Sequence, residues 1–221
     1  MTQDSAAERS ASFLRMLEQL HERHLIGVEG VREVWLIRHG DAYTGLERLA
    51  EGVIDPPLSP VGHEQADRLA QRLAYLSIDA VWASDLRRAV ETADVVARDH
   101  GAEVRQDPRL REVRTHWDEG HPARVAEPGE YPFPETEAEV SERVGAAVRD
   151  IAAGLPDGGR AIAVSHNAAI GIYVAGVLGL SWGKLPIMPM YTSVTILALK
   201  GERVVVRSLA DATHLVEAAP G

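Results

Sequence analysis

The chain has 221 residues, 45% of them hydrophobic and 25% charged, which suits one soluble α/β domain and is short for two. It contains no cysteine, which excludes a disulfide framework, thiolate metal sites and a cysteine nucleophile. With a formal net charge of −10, it is not expected to bind nucleic acid or an anionic membrane through its overall charge. No apolar run is long enough to span a bilayer, and the polar N-terminus lacks a secretory signal, so we expect a cytoplasmic protein.

The first predicted element is an amphipathic helix over about residues 6–25. Its apolar side chains fall on one stripe at helical spacing: Phe13, Met16, Leu17 and Leu20. Gly27 and Gly30 then break the pattern, so we divide the chain into a helical extension (residues 1–30) and one folded domain (residues 31–221). We expect the helix to pack on the outer face of the domain; its alternative role is dimerisation, which would make the protein a homodimer.

Strands and helices alternate through the rest of the chain. Three short apolar runs predict buried strands, at residues 34–37, 80–83 and 161–164. Helices are predicted from Ser59-Pro60, from Ser84-Asp85, from residue 135 or 136, and over residues 168–180. Two last strands, at 192–199 and 203–209, form a candidate antiparallel edge. This order predicts a three-layer α/β/α sandwich with a mostly parallel central sheet.

Polar functional groups follow three of the predicted strands. Arg38 and His39 follow the first strand, Ser84 leads to Arg88 after the second, and His166 follows the third. In open α/β sheets, ligands bind at the carboxyl ends of the strands. We therefore expect these side chains to converge on one crevice.

The residue types at these strand ends suit phosphoryl transfer. A neutral imidazole can attack phosphorus to give a phosphohistidine, and the planar fork of arginine binds two phosphate oxygens at once. The candidate nucleophile is His39, and the candidate phosphate clamp is Arg38 with Arg88. His166 can bind phosphate if it is protonated, and Glu112 can protonate the leaving oxygen. Two other carboxylic acids are alternatives to Glu112: Asp41 and Asp118.

Six segments carry the motif residues, in this order along the chain: Leu36-Ile37-Arg38-His39-Gly40; Asp55-Pro56-Pro57-Leu58-Ser59-Pro60-Val61-Gly62 with Gln65-Ala66; Ser84-Asp85-Leu86-Arg87-Arg88-Ala89 with Glu91-Thr92-Ala93; Leu110-Arg111-Glu112; Glu135-Thr136 with Glu139-Val140 and Arg143-Val144; and Val164-Ser165-His166. Together they resemble the motifs of the histidine phosphatase superfamily, which includes the cofactor-dependent phosphoglycerate mutases. The resemblance covers about residues 34–199. Arg-His-Gly alone is a weak signal, whereas the ordered set is specific.

The resemblance implies a phosphoglycerate mutase-like fold for the domain, and it assigns a role to each motif residue. His39 would be the phosphorylated nucleophile, and Glu112 would be the general acid and then the base that activates water. Arg38, Arg88 and His166 would bind the phosphoryl group. The family implies a small phosphorylated substrate, no metal and no cofactor.

Two positions depart from the family pattern. Members often carry a phosphate-binding Asn where this chain has Gly45, and the usual His-Gly after the third strand is His166-Asn167. Asn167 could donate to phosphate, or it could narrow the pocket. We expect substrate specificity to come from two loops, residues 41–58 and 113–134, whose structure is the least predictable from the sequence pattern.

Three functions stay open at this point. The expected one is a metal-independent phosphatase, because the altered loop after Gly40 lacks the extra basic residues that would favour a mutase. A phosphoglycerate mutase is the second, since the site motifs are shared. A non-catalytic phosphate-binding module is the third, and Gly45 and Asn167 motivate it. A metal site at His116, Asp118 and His121 is not expected, because no further ligand is apparent.

Overall fold

A computed structural model gives the fold of the chain and describes residues 3–42, 55–114, 133–184 and 186–216. The elements in these ranges, in chain order, are α1 (Gln3–His24), β1 (Arg32–Arg38), α2 (Pro60–Leu73), β2 (Ala80–Ala83), α3 (Arg87–His100), β3 (Val104–Gln106), α4 (Glu137–Ala153), β4 (Arg160–Ser165), α5 (Asn167–Val177), β5 (Val194–Lys200) and β6 (Arg203–Asp211). Two short 3₁₀ turns lie at Pro108–Leu110 and Thr213–Leu215.

The six strands form one sheet in the order β3-β2-β4-β1-β5-β6. The four strands from β3 to β1 are parallel, and β5 and β6 continue the sheet in antiparallel fashion. The predicted mostly parallel sheet with an antiparallel edge is therefore confirmed. Sequence pattern missed β3, since this strand is only three residues long and Arg105 and Gln106 give it no apolar run.

Helices cover both faces of the sheet, as the three-layer prediction requires. Alternate residues of β1 point into two separate cores. Leu36 packs with residues of α4 and α5, and Ile37 packs with residues of α2 and α3. Because β1 is buried on both faces at the centre of the sheet, the position of its last residues is fixed by packing on either side.

Two helix starts agree with the sequence, and one does not. Ser59 caps α2, and Thr136 with Glu139 forms a capping box on α4. The predicted cap of α3 at Ser84-Asp85 is wrong, because Ser84 still donates its N–H to the Val164 carbonyl in the sheet pattern. Helix α3 starts only after Leu86, and the Asp55 carboxylate accepts the Arg87 N–H at 2.8 Å instead.

Helix α1 forms as predicted, but its apolar stripe does not pack on the domain. Phe13 is 55% exposed and Leu20 is 41% exposed. The helix turns charged residues towards the domain instead: Glu22 and its neighbours line a cleft with Arg203, which donates to the Glu22 carbonyl at 2.6 Å. Among the described residues, none of the helices has both the length and the apolar character needed to cross a bilayer.

Candidate active site

The ends of β1 and β4 bring two histidines together. These strands are parallel neighbours with Arg38 opposite Ser165, and the His39 N–H donates to the Ser165 carbonyl at 3.0 Å. The His39 and His166 rings, which follow the two strands, lie with their centroids 5.0 Å apart. The predicted convergence at the carboxyl edge of the sheet is therefore present for these two residues.

The two ring nitrogens of His39 have distinct partners. Nδ1 lies 2.6 Å from the Gly40 carbonyl oxygen, which can only accept, so Nδ1 carries the proton. Nε2 accepts from Nε of Arg88 at 3.1 Å, so it presents a lone pair. Burial, followed by the charge of Arg88, lowers the pKa of His39 to about 3. The imidazole is therefore neutral near pH 7, with Nε2 facing the arginine side of the crevice.

The backbone after His39 is held in a tight turn against α2 and α3. The Gly40 N–H donates to the Thr92 hydroxyl at 3.0 Å, and the Asp41 N–H donates to Gln65 at 2.8 Å. The approach to α2 is so close that a Cβ on Gly62 would lie 2.0 Å from the Asp41 carbonyl oxygen. Three motif residues thus position the loop that follows the candidate nucleophile: Gly62, Gln65 and Thr92.

Arg38 is held by a segment that the sequence analysis did not select. Its Nη1 donates to the Pro189 carbonyl at 2.8 Å, and its guanidinium carbon lies 3.8 Å from the centroid of the Tyr191 ring. Burial lowers the pKa of Arg38, and Tyr191 and Glu112 partly offset this effect. The position of Tyr191 just before β5 could have indicated its role. The start of β5 pairs with the end of β1, which brings the residues before β5 close to Arg38.

Arg88 lies in the first turn of α3 and points into the site. Besides His39, it faces Asp55, with Nη1 and the carboxylate 3.6 Å apart. Burial lowers the pKa of Arg88, while Glu112 and Asp55 raise it. The adjacent Arg87 is exposed and pairs with Glu91 along the helix, so the placement of Arg88 rather than Arg87 in the site agrees with the sequence analysis.

Glu112 reaches the site from the segment after the first 3₁₀ turn. Its carboxylate accepts the Ala169 N–H at 2.9 Å and the Ala168 N–H at 3.3 Å, at the N-terminus of α5. Helix α5 begins directly after His166, so the carboxylate lies within one helical turn of that histidine. Of the alternative acids, Asp41 accepts from the Ser59 hydroxyl at 2.5 Å, and Asp118 lies outside the described residues.

His166 and Asn167 complete the crevice. His166 is fully buried, and within the described ranges neither of its ring nitrogens has a hydrogen-bond partner. Burial, followed by the nearby His39 and Arg88, lowers the pKa of His166 well below its usual value. The Asn167 amide nitrogen lies 3.8 Å from the Met188 sulfur, which is a weak acceptor.

Several of the buried polar atoms without a partner lie in this crevice, while His100 Nε2 and Tyr173 OH lie elsewhere in the described fold. In the described part of the chain, Arg38 Nε, both His166 ring nitrogens and Asn167 Oδ1 are buried without a partner. Buried polar atoms in folded proteins are almost always hydrogen-bonded, so each exception needs an explanation. A polar ligand seated between β1, α3 and α5 would explain the arginine and histidine atoms together.

Some of the sequence predictions fall on residues that the structure does not describe. Gly45 and most of both specificity loops are among them, and so are His116, Asp118 and His121. Within the described ranges, no group of three or more histidine or carboxylate side chains could hold a metal ion.

Comparisons with known proteins agree on one family. The model of the histidine phosphatase superfamily (branch 1) matches residues 34–212. A protein of Enterobacter sp. (strain 638), named probable phosphoglycerate mutase GpmB, is 37% identical over 163 residues, which are 67% of this chain and 75% of that protein. The structure of Bacillus stearothermophilus YhfR matches with a TM-score of 0.71 and 26% identity, over 83% of this chain and 98% of that one. The mycobacterial glucosyl-3-phosphoglycerate phosphatase matches with a TM-score of 0.65 and 26% identity, over 81% of this chain and 99% of that one.

Proposed function

The chain belongs to the histidine phosphatase superfamily and has its phosphoglycerate mutase-like fold, and on this premise we propose that it is a metal-independent phosphatase acting through a phosphohistidine on His39. The observation that carries the proposal is the state of His39. The ring is buried and neutral, and its Nε2 lone pair faces the Arg88 guanidinium. A phosphate monoester bound by that guanidinium would have its phosphorus next to the lone pair.

In the first step, Nε2 of His39 attacks phosphorus, the N–P bond forms and the ester P–O bond breaks. Arg38 and Arg88 bind the equatorial oxygens, and Glu112 gives its proton to the leaving oxygen. Arg88 turns its Nε–H from His39 to the phosphate as substrate binds. The Gly40 carbonyl keeps the proton on Nδ1, so the attacking nitrogen is always Nε2.

In the second step, water attacks the phosphohistidine. Glu112, now a carboxylate, takes the proton of this water, and the N–P bond breaks to release phosphate and neutral His39. His166 contacts the phosphoryl group throughout. Because this ring is buried without a partner in the described ranges, a phosphate oxygen would supply both its missing hydrogen bond and the negative charge that favours its protonated form. Asn167 is proposed as a further phosphate ligand through its amide nitrogen.

The test of this proposal is hydrolysis of p-nitrophenyl phosphate in excess chelator. Wild-type protein should turn over, and His39→Ala should lose at least about a thousandfold in kcat, as expected when a nucleophile is removed. Undiminished activity of His39→Ala would contradict the proposal. Tight binding of phosphate without turnover of any ester would favour the non-catalytic module instead.

A phosphoglycerate mutase is the second candidate, because the Enterobacter relative at 37% identity bears that name. A mutase transfers the phosphoryl group of the phosphohistidine to a second bound substrate instead of water. Incubation with 3-phosphoglycerate discriminates the two reactions. We expect release of inorganic phosphate to exceed formation of 2-phosphoglycerate; the opposite ratio would establish the mutase.

A further inference from the structure

Arg143, on α4, binds the segment that carries Glu112, residues 109–114. Its Nη1 donates to the carbonyl oxygens of Arg109 at 2.8 Å and Arg111 at 2.7 Å. Its Nη2 donates to the carbonyl oxygen of Glu112 itself at 3.1 Å. One guanidinium thus satisfies three backbone carbonyls within four residues of a segment that has no regular ladder of its own.

The same guanidinium is held in place by the carboxylate of Glu135. Arg143 Nε and Nη2 donate to the two carboxylate oxygens of Glu135, at 2.6 and 2.9 Å. Glu135 is only 3% exposed, and it also accepts the Arg114 N–H at 2.9 Å. Burial would raise the pKa of Glu135, but the hydrogen bonds from Arg143 and Arg114 hold it below its usual value. The pair therefore holds the segment on both sides of Glu112.

Other contacts hold the opposite side of the segment. The Ser165 hydroxyl donates to the Leu110 carbonyl at 2.7 Å, and the N-terminus of α5 binds the Glu112 carboxylate. Since Ser165 and α5 flank His166, these bonds tie the segment to the site. Arg143 and Glu135 anchor the segment to α4. The carboxylate of Glu112 is therefore held between α4 on one side and the start of α5 on the other.

We propose that Arg143, held by Glu135, is a positioning residue that places Glu112 for proton transfer; this inference rests on the acid role given to Glu112 above. Proton donation matters most when the leaving alcohol is a strong base. A misplaced Glu112 should therefore slow the hydrolysis of alkyl phosphates much more than that of p-nitrophenyl phosphate. General loss of structure would slow both substrates alike.

The experiment compares kcat/KM for p-nitrophenyl phosphate and for an alkyl phosphate in four single variants and one double variant, because kcat/KM reports the cleavage of the ester bond and not the later attack of water. Arg143→Lys is the test, because it keeps a cation beside buried Glu135 but cannot reach three carbonyls. Glu135→Gln tests the same pair from its other member. Glu112→Gln gives the signature of a missing acid. Arg160→Lys is the matched control, since that side chain pairs with the shielded carboxylate of Glu33 at 2.9 Å, at the end of β4 opposite to His166.

We expect Arg143→Lys and Glu135→Gln to lose about 10- to 100-fold in kcat/KM on the alkyl ester, within the range of general acid catalysis, and about threefold or less on the aryl ester. Arg160→Lys should change the hydrolysis of neither substrate, and Arg143→Lys combined with Glu112→Gln should lose no more than Glu112→Gln alone. Equal losses on both substrates for Arg143→Lys, with the leaving-group effect present in Glu112→Gln, overturn the inference alone. Absence of that effect in Glu112→Gln overturns the acid role in the proposed function, and the inference with it.

Discussion

At the scale of single residues, burial of His166 should make stability depend on pH. The folded protein holds this histidine neutral, with a pKa well below the usual value near 6.5, whereas the unfolded chain protonates it at that value. The folded state therefore binds fewer protons, and the free energy of unfolding falls as the pH drops below about 6.5. The full stability is present above that pH.

The variant that tests this dependence is His166→Gln. Urea unfolding of the two proteins from pH 7.5 to pH 4.5 should give a shallower fall for the variant, by up to about 1.4 kcal/mol per pH unit in the acid part of the range. Identical slopes would show that His166 does not titrate differently in the folded state. Both proteins keep His39, whose pKa is lowered to about 3, so its contribution to the pH dependence of the free energy of unfolding is present in each.

A second residue-scale prediction concerns Tyr191. Its ring lies 3.8 Å from the guanidinium carbon of Arg38, which the Pro189 carbonyl holds at the other side. Tyr191→Ala should raise KM for p-nitrophenyl phosphate by about 3- to 30-fold, the equivalent of a buried cation–π contact. Tyr191→Phe keeps the ring and serves as the control, with a change of about threefold or less. Equal effects in both variants would mean that the ring face does not hold Arg38.

At the scale of elements, the contact between the loop after β1 and the start of α2 decides where His39 lies. A methyl group at Gly62 would clash with the Asp41 carbonyl, so Gly62→Ala must shift α2 or the loop. We expect a loss of about 2 kcal/mol or more in the free energy of unfolding, with reduced kcat. Gly154→Ala, where the nearest atom to an added methyl is 3.6 Å away, should change stability by about 0.5 kcal/mol or less. Similar losses in both variants, in thermal unfolding, would contradict this explanation.

Sequence pattern predicted the elements whose cause is local. Apolar runs fix β1, β2 and β4, and capping side chains fix the starts of α2 and α4. What pattern missed depends on partners distant in the chain. The start of α3 depends on Asp55, strand β3 on pairing with β2, and the role of Tyr191 on the antiparallel return of β5 beside β1.

The candidate site shows the same division. His39, Arg88, His166 and Glu112 were selectable because family motifs mark them. Their arrangement was predictable only as far as the common edge of the sheet. That Glu112 reaches the N-terminus of α5, and that Arg143 supports it from α4, depends on a segment without periodicity between residues 108 and 114.

At the scale of the whole molecule, α1 contributes little to the folded domain. Its described side chains are mostly exposed, and its contacts concentrate at its end, where Arg203 binds Glu22 and Arg207 binds the Leu25 carbonyl. Deletion of residues 1–20 should therefore change the melting temperature by about 2 °C or less and leave kcat/KM unchanged. A deletion protein that fails to fold would contradict the division of the chain into an extension (1–30) and a domain (31–221).

The same deletion addresses the predicted homodimer, which stays a prediction, as does the cytoplasmic location. Light scattering of the wild-type protein and the deletion protein measures their masses in solution. A dimer that becomes a monomer on deletion would assign dimerisation to the exposed stripe of α1. A wild-type monomer would contradict the homodimer prediction.

The proposed function depends above all on phosphorylation of His39. Brief incubation with a phosphate ester, followed by alkaline quenching and peptide mass spectrometry, detects this phosphoryl group. We expect an acid-labile phosphoryl group on the peptide that contains His39. It should be absent from His39→Ala and longer-lived in Glu112→Gln, because the base that activates water is then missing. Turnover of the ester with no phosphoryl group on His39, or with one on another residue, would contradict the proposed function.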